Sequence, residues 1–283
     1  MKHDVWIAVL FWIAAHIPAQ AGSVDWYPLR DNRHIRWGGS IDELPQIRIL
    51  PTGEDANPRI VYGDAQGNLH VVRYVDGRGY EEWKSEPLGS AVLGVFVEDV
   101  DADGEFEIVA YTFTRIVLYS AEDYSFIWQI QEDITHMDIA NVDDDPQLEL
   151  VYLVKSLSHS EMHIHVYDCL ELFEQGISDV IPKESIHAQS MVIADFDDDY
   201  GLEAVLNTGV VVDMDTLILE WYFADGFGDR LGYLDIDGDG VLELIGEVGG
   251  LRHSRYLRIF NVDTQSETFL VVPEDEEQAK SGQ

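Results

Sequence analysis

Four segments of this chain align without a gap: DVDADGEFEIV from Asp99, NVDDDPQLELV from Asn141, DFDDDYGLEAV from Asp195 and DIDGDGVLELI from Asp235. They begin 42, 54 and 40 residues apart. Self-similarity at such a period means that one small supersecondary unit is stacked several times, and this constrains the fold more than any other feature. A degraded fifth copy, PTGEDANPRIV from Pro51, keeps Asp55 in register and ends in Ile60-Val61.

The likeness extends past the acidic stretch. A short apolar run precedes each complete copy, as in Val95-Phe96-Val97 and Met191-Val192-Ile193. A second follows, as in Glu107-Ile108-Val109-Ala110-Tyr111 and Glu149-Leu150-Val151-Tyr152. The third is seen in Leu69-His70-Val71-Val72, Arg115-Ile116-Val117-Leu118-Tyr119 and Leu257-Arg258-Ile259-Phe260. A fourth carries a tryptophan 13 to 16 residues ahead of the next loop, at Trp37, Trp83, Trp128 and Trp221. β-branched and aromatic residues fill these runs and Gly, Asp and Asn separate them, the pattern of short strands and tight turns. Four strands in about 45 residues, repeated, describe an all-β chain with the blades of a β-propeller. Five antiparallel blades are expected, or six if residues 24–37 complete a partial unit; that segment also suits a strand that closes the ring. The tryptophans read as packing between blades. The unit with the long spacing lacks one and is expected to hold an insertion between about residues 156 and 185. Within it, residues 168–175 are the one stretch with helical patterning.

In each acidic segment, side-chain oxygens fall at positions 1, 3, 5 and 9, and position 7 offers a backbone carbonyl. The four sets are Asp99, Asp101, Asp103, Glu105 and Glu107; Asn141, Asp143, Asp145, Gln147 and Glu149; Asp195, Asp197, Asp199, Gly201 and Glu203; and Asp235, Asp237, Asp239, Val241 and Glu243. Alternate residues of a tight turn converge their oxygens on one point. Like charges this close repel, and no lysine or arginine lies inside any of the four segments to offset them. Six or more hard oxygen ligands in a flexible loop suit Ca²⁺ better than Mg²⁺ or Zn²⁺. An EF-hand is excluded, because its twelfth position is a bidentate Glu between helices. Here that position holds Ala110, Tyr152, Leu206 and Gly246, between strand-like flanks. The pattern D-x-D-x-D-G-x-x-[DE]-[IL]-V after a strand resembles the FG-GAP/VCBS repeats, a family that includes the propellers of integrin α-subunits. The resemblance covers about residues 51–270 and implies up to four Ca²⁺ ions in loops joining the first two strands of each blade. The loop from Pro51, with Gly53 and Arg59 where oxygens belong, is expected to hold none.

The net charge of −37, from 54 acidic against 17 basic residues, repels nucleic acid and anionic membrane, so neither is an expected partner. Lys2, the apolar run over residues 5–15 and Ala19-Gln20-Ala21 have the form of a secretory signal over residues 1–21. The repeats then span residues 22–272, and residues 273–283 form an acidic tail expected to be disordered. Placement is secreted or periplasmic, without membrane insertion after cleavage, and as a monomer. Cys169, the single cysteine, has no disulfide partner and suits a buried position. His163 and His165 share a strand face near His159 and Glu161, which fits a transition-metal site or a plain polar face.

No G-x-S-x-G or G-x-G-x-x-G motif occurs. The expected role is a calcium-stiffened scaffold that binds a protein or glycan. The alternative is a polysaccharide lyase or hydrolase with its chemistry on the central face of the propeller. That reading needs a basic cluster, and Arg252, His253 and Arg255, with Arg230, form the tightest one in the sequence. The signal reading predicts that the exported protein begins at Gly22. Intact-mass measurement of the chain recovered outside the cytoplasm checks this, and an uncleaved Met1 in that fraction contradicts it.

Overall fold

The computed structural model describes residues 46–50 and 57–271, apart from 77, 144, 156–160, 198, 200 and 250–254. The chain forms five four-stranded antiparallel sheets, each a meander of consecutive strands. The first contains β1 (Ile47–Leu50), β2 (Arg59–Gly63), β3 (Leu69–Val75) and β4 (Arg78–Lys84). The second contains β5 (Val92–Glu98), β6 (Glu107–Thr112), β7 (Ile116–Ser120) and β8 (Phe126–Ile130). The third contains β9 (Ile134–Ala140), β10 (Glu149–Lys155), β11 (Met162–Asp168) and β12 (Phe173–Ile177). β13 (Met191–Ala194), β14 (Glu203–Leu206), β15 (Val210–Asp213) and β16 (Leu219–Tyr222) make the fourth. β17 (Arg230–Leu234), β18 (Glu243–Gly249), β19 (Arg255–Asn261) and β20 (Ser266–Val271) make the fifth.

The second and third strands of the middle sheets read as unbroken apolar runs because both of their faces are covered. β6, β10, β14 and β15 are buried almost throughout. Alternation along a strand then divides its side chains between two neighbours. On β6, Ile108 and Ala110 face the first sheet, whereas Val109 and Tyr111 face the third. On β10, Leu150 and Tyr152 turn to the second sheet, and Val151 and Leu153 to the fourth. On β14, Ala204 and Leu206 meet the third sheet while Val205 meets the fifth. The outer strands β4, β8, β12 and β16 are largely exposed, and Phe126, Ile127, Phe173 and Ile177 are apolar side chains that they leave in solvent.

The first strands face a common axis. The half-buried carboxyl of Asp138 on β9 feels the charges of Arg48 on β1 and Glu98 on β5, and its own charge acts on Tyr233 of β17. Sheets packed face to face with their first strands around one axis make a β-propeller of five blades.

Each tryptophan on an outer strand reaches an aromatic ring on the third strand of the next sheet. Trp83 meets Tyr119 at 5.1 Å between ring centroids, Trp128 meets Tyr167 at 4.4 Å, and Trp221 meets Phe260 at 6.3 Å. The register explains the missing copy. Trp83, Trp128 and Trp221 pair with Val71, Leu118 and Val211, each just before a bulge, and the residue in that place on β12 is Gly176, opposite Val166. A Cβ on Gly176 would lie 2.3 Å from Leu217 Cδ1, so a leucine from the fourth sheet fills the space a tryptophan takes elsewhere.

Two expectations need correction. Residues 168–175 are not helical: Asp168 ends β11, a turn follows, and β12 begins at Phe173. Asp168 accepts the Glu171 backbone N–H, the Tyr167 hydroxyl donates to the Leu172 carbonyl, and Leu172 is left-handed at φ 56°. The Leu170, Leu172 and Phe173 side chains are exposed and form no buried stripe. The insertion over residues 156–185 contains two regular strands, β11 and β12. The extra length is instead the 178–190 linker, with a short 3-10 turn at Lys183–His187. Cys169 is buried, which pushes its thiol pKa up. The signal, residues 24–37 with Trp37, the loop over 51–56, His159, Arg252 and His253, and the acidic tail lie outside the described residues.

Replacing Trp128 by Ala is expected to cost about 3 kcal/mol, as for other aromatic truncations between packed elements. Leu217→Ala should cost a similar amount, because it opens the same kind of gap beside Gly176. Denaturant unfolding measures both, and a cost under about 0.5 kcal/mol, the range of plain surface changes, contradicts this packing account.

Candidate metal centre

All four acidic segments are connections from the first to the second strand of a blade: β5 to β6, β9 to β10, β13 to β14 and β17 to β18. They therefore leave the propeller on one face. Each ends on a glutamate that is also the first residue of a buried strand, namely Glu107, Glu149, Glu203 and Glu243.

The local geometry repeats. In every loop the position 9 carboxylate reaches back to the N–H of position 2: Glu107 accepts from Val100 at 3.1 Å, Glu149 from Val142 at 2.8 Å, Glu203 from Phe196 at 2.6 Å and Glu243 from Ile236 at 2.8 Å. The position 3 carboxylates Asp101, Asp143, Asp197 and Asp237 accept the position 5 N–H. The position 5 carboxylates Asp103, Asp145, Asp199 and Asp239 accept the N–H of Glu105, Gln147, Gly201 and Val241. In the first and last loops, Asp99 and Asp235 also accept from Gly104 and Gly240, whose φ of 96° and 99° suits glycine. Pro146 stands at that place in the second loop, where Asn141 donates instead to the Asp145 carbonyl.

Carboxylate oxygens converge as the spacing requires. Asp99, Asp101 and Glu107 each place one within 4.8 Å of the others, as do Asp143, Asp145 and Glu149. The same holds for Asp195, Asp197 and Glu203, and for Asp235, Asp237 and Asp239. Asp103, Asp199 and Glu243 stand outside these tightest groups, tied into the loop by the backbone bonds above.

The charge has no internal answer. Glu149 and Glu203 are 0% exposed, and in each the second oxygen, Oε1, is buried with no hydrogen-bond partner among the described residues. Buried orphan oxygens are rare in native proteins, and a bound ion or water is among the explanations for them. Burial, aided by the neighbouring aspartates, pushes Glu107 and Glu149 up to about 7 and Glu203 up to about 8. Asp101 and Asp197 are raised by the same causes.

Sequence reasoning missed the acids that face these loops from the third and fourth strands. Glu149 lies opposite Asp168 and Glu203 opposite Asp213, like charges on adjacent strands that destabilise a sheet unless something neutralises them. Glu220 on β16 also feels Asp197, Asp213 and Asp199. Gln175 on β12 donates to Asp143 at 2.9 Å. Only strand pairing brings these residues to the loops, so no local spacing announces them. The two histidines of β11 part company: His163 binds the Ser178 carbonyl at 2.9 Å, and His165 pairs with Glu174 at 2.8 Å.

No family model and no curated protein matches the sequence. Solved structures do match in fold. The chain is similar to Sqt1 of Saccharomyces cerevisiae at 13% identity and a TM-score of 0.58, over 80% of this chain and 62% of that one. It is also similar to the V. cholerae biofilm matrix protein Bap1 at 15% identity and a TM-score of 0.55, over 81% of this chain and 39% of that one. Both overlaps fall short of two thirds of those proteins' length, and at such identities the likeness is one of fold.

Glu203→Gln tests the uncompensated charge directly. The amide keeps an oxygen for the Phe196 N–H and removes a carboxylate whose pKa in the folded chain, about 8, lies above the ordinary 4.5. The penalty of that carboxylate is absent below pH 4.5, grows as pH rises, and is complete above about 8. In a chelator the variant should therefore melt higher than the parent at pH 8, with the gain shrinking towards pH 5. An equal or lower midpoint at pH 8 contradicts the reading.

Proposed function

We propose that the chain is an exported calcium-binding β-propeller of the FG-GAP/VCBS kind, which acts as a rigid scaffold for a protein or glycan partner. The observation that carries the proposal is the buried, partnerless Oε1 of Glu149 and Glu203, each beside a converging set of aspartate oxygens. Four Ca²⁺ ions would each take oxygens from positions 1, 3, 5 and 9 and the carbonyl at position 7. Oxygen-only donors and a flexible loop favour this ion over smaller or softer ones.

The ion's part is structural. It neutralises the loop, fixes the turn from the first to the second strand, and so holds one face of the propeller in a set shape. A partner would meet that stiffened face, where Leu170, Leu234 and Ile236 stand exposed beside the loops. Export suits the same picture, since calcium is abundant outside cells and the single cysteine leaves no disulfide to brace the loops.

Native mass spectrometry of the chelator-treated chain, titrated with Ca²⁺, tests the proposal. The expected product carries four ions, and Asp237→Asn carries three with the other loops filling as before. A parent that holds no calcium at millimolar concentration contradicts the proposal. Loss of all four ions on the single substitution contradicts the independence of the loops.

A further inference from the structure

A second kind of site lies away from the calcium loops, between the second and third blades. Glu132 in the β8–β9 connection, His165 on β11 and Glu174 on β12 bring one carboxylate, imidazole or carboxylate atom each to within 4.8 Å of one another. His165 is buried, Glu132 is half-buried and Glu174 is exposed, so the group opens to solvent on one side. The His165 Nδ1 to Glu174 oxygen distance is 2.8 Å. Burial and the charges of Glu174 and Asp133 oppose the ionised form of Glu132, while the charge of His165 favours it.

An independent observation points into the same place. Tyr152 on β10 lies directly opposite His165, with ring centroids 5.4 Å apart, and is 0% exposed. Its hydroxyl is buried and has no hydrogen-bond partner among the described residues. Burial, with the charges of Glu132 and Glu174, raises the pKa of that hydroxyl, so both carboxylates lie near enough to act on it. A buried phenol O–H left unpaired is rare in native proteins, and a bound ion or water is one of the few explanations for it.

We propose that Glu132, His165 and Glu174 form a site for a divalent transition-metal cation of the zinc class, with Tyr152 as the buried hydroxyl behind it. The donor set decides the class: an imidazole with two carboxylates suits zinc, cobalt or nickel, whereas the oxygen-only loops suit calcium. Three protein donors leave a coordination position for water on the exposed side. A second water, or the ion itself, on the buried side supplies the partner the Tyr152 hydroxyl lacks. The site also joins two blades, since Glu132 leaves the outer strand of one and His165 lies in the middle of the next. The proposal does not depend on calcium in the loops.

Visible spectroscopy of the full, untagged chain titrated with Co²⁺ in millimolar Ca²⁺ tests it, with Zn²⁺ added as competitor. One equivalent of Co²⁺ should give d–d absorption of a nitrogen-containing site, and Zn²⁺ should abolish it. His165→Gln should weaken binding about 100-fold or more, at least as much as loss of an outer-shell partner. Because His165 is buried, Glu174→Gln serves as the second variant: at an exposed position it should keep the native circular dichroism and still bind at least tenfold more weakly. Asp237→Asn should leave the signal unchanged. Absence of the signal, or a signal that survives both His165→Gln and Glu174→Gln, overturns the proposal, as does one lost in His163→Ala instead.

Discussion

A short strand with apolar residues on both faces cannot leave either face in water, and this chain is built from such strands. β6, β10 and β14 each send alternate residues into two different neighbours, so each of these blades is completed only by the blades beside it. The hydrophobic effect thus acts between sheets more than within them. The tryptophans extend the same contact outward to the rim, where the strands are otherwise exposed. Everything on the loop face rests on this frame, because the loops start and end on strands whose register the interfaces fix.

Against that frame the acidic loops are a local conflict. Glu149 and Glu203 belong to buried strands, where a Val or Ile would suit the packing, and each faces an aspartate across the ladder. Natural sequences tend to break local rules at sites that do something. One oxygen of each glutamate pins the start of its own loop, and the other lies buried without a partner. A cation bound there, as proposed above, would resolve the conflict at both ends, and the same arrangement recurs although the residue at position 6 changes from Gly104 to Pro146 to Gly240.

The features legible in the sequence were those that repeat. The apolar runs marked β5, β6, β7 and β10, and the tryptophans marked the outer strands, because burial on two faces leaves a plain compositional trace. Residues 168–175 misled because Leu170, Leu172 and Phe173 mimic a helical stripe, while the turn around Asp168 and the left-handed Leu172 decide the outcome. The absence of a tryptophan from the third blade was visible, but its replacement by Leu217 from another blade was not. Tyr152, His165 and Glu174 meet through strand pairing and Glu132 reaches them from the preceding connection, so their spacing carries no signal. The acids opposite the loops, Asp168 and Asp213, were hidden for the same reason.

The central claim is that calcium holds the loop face in shape, and thermal unfolding in excess Ca²⁺ and then in EGTA tests it most directly. An ion that binds only the native state stabilises it by about 4 kcal/mol per site at a thousandfold excess over Kd. The account predicts a rise of many degrees in calcium, reversed by the chelator. Superimposable melting curves would contradict it and would leave the acidic loops as solvated turns on a five-bladed propeller.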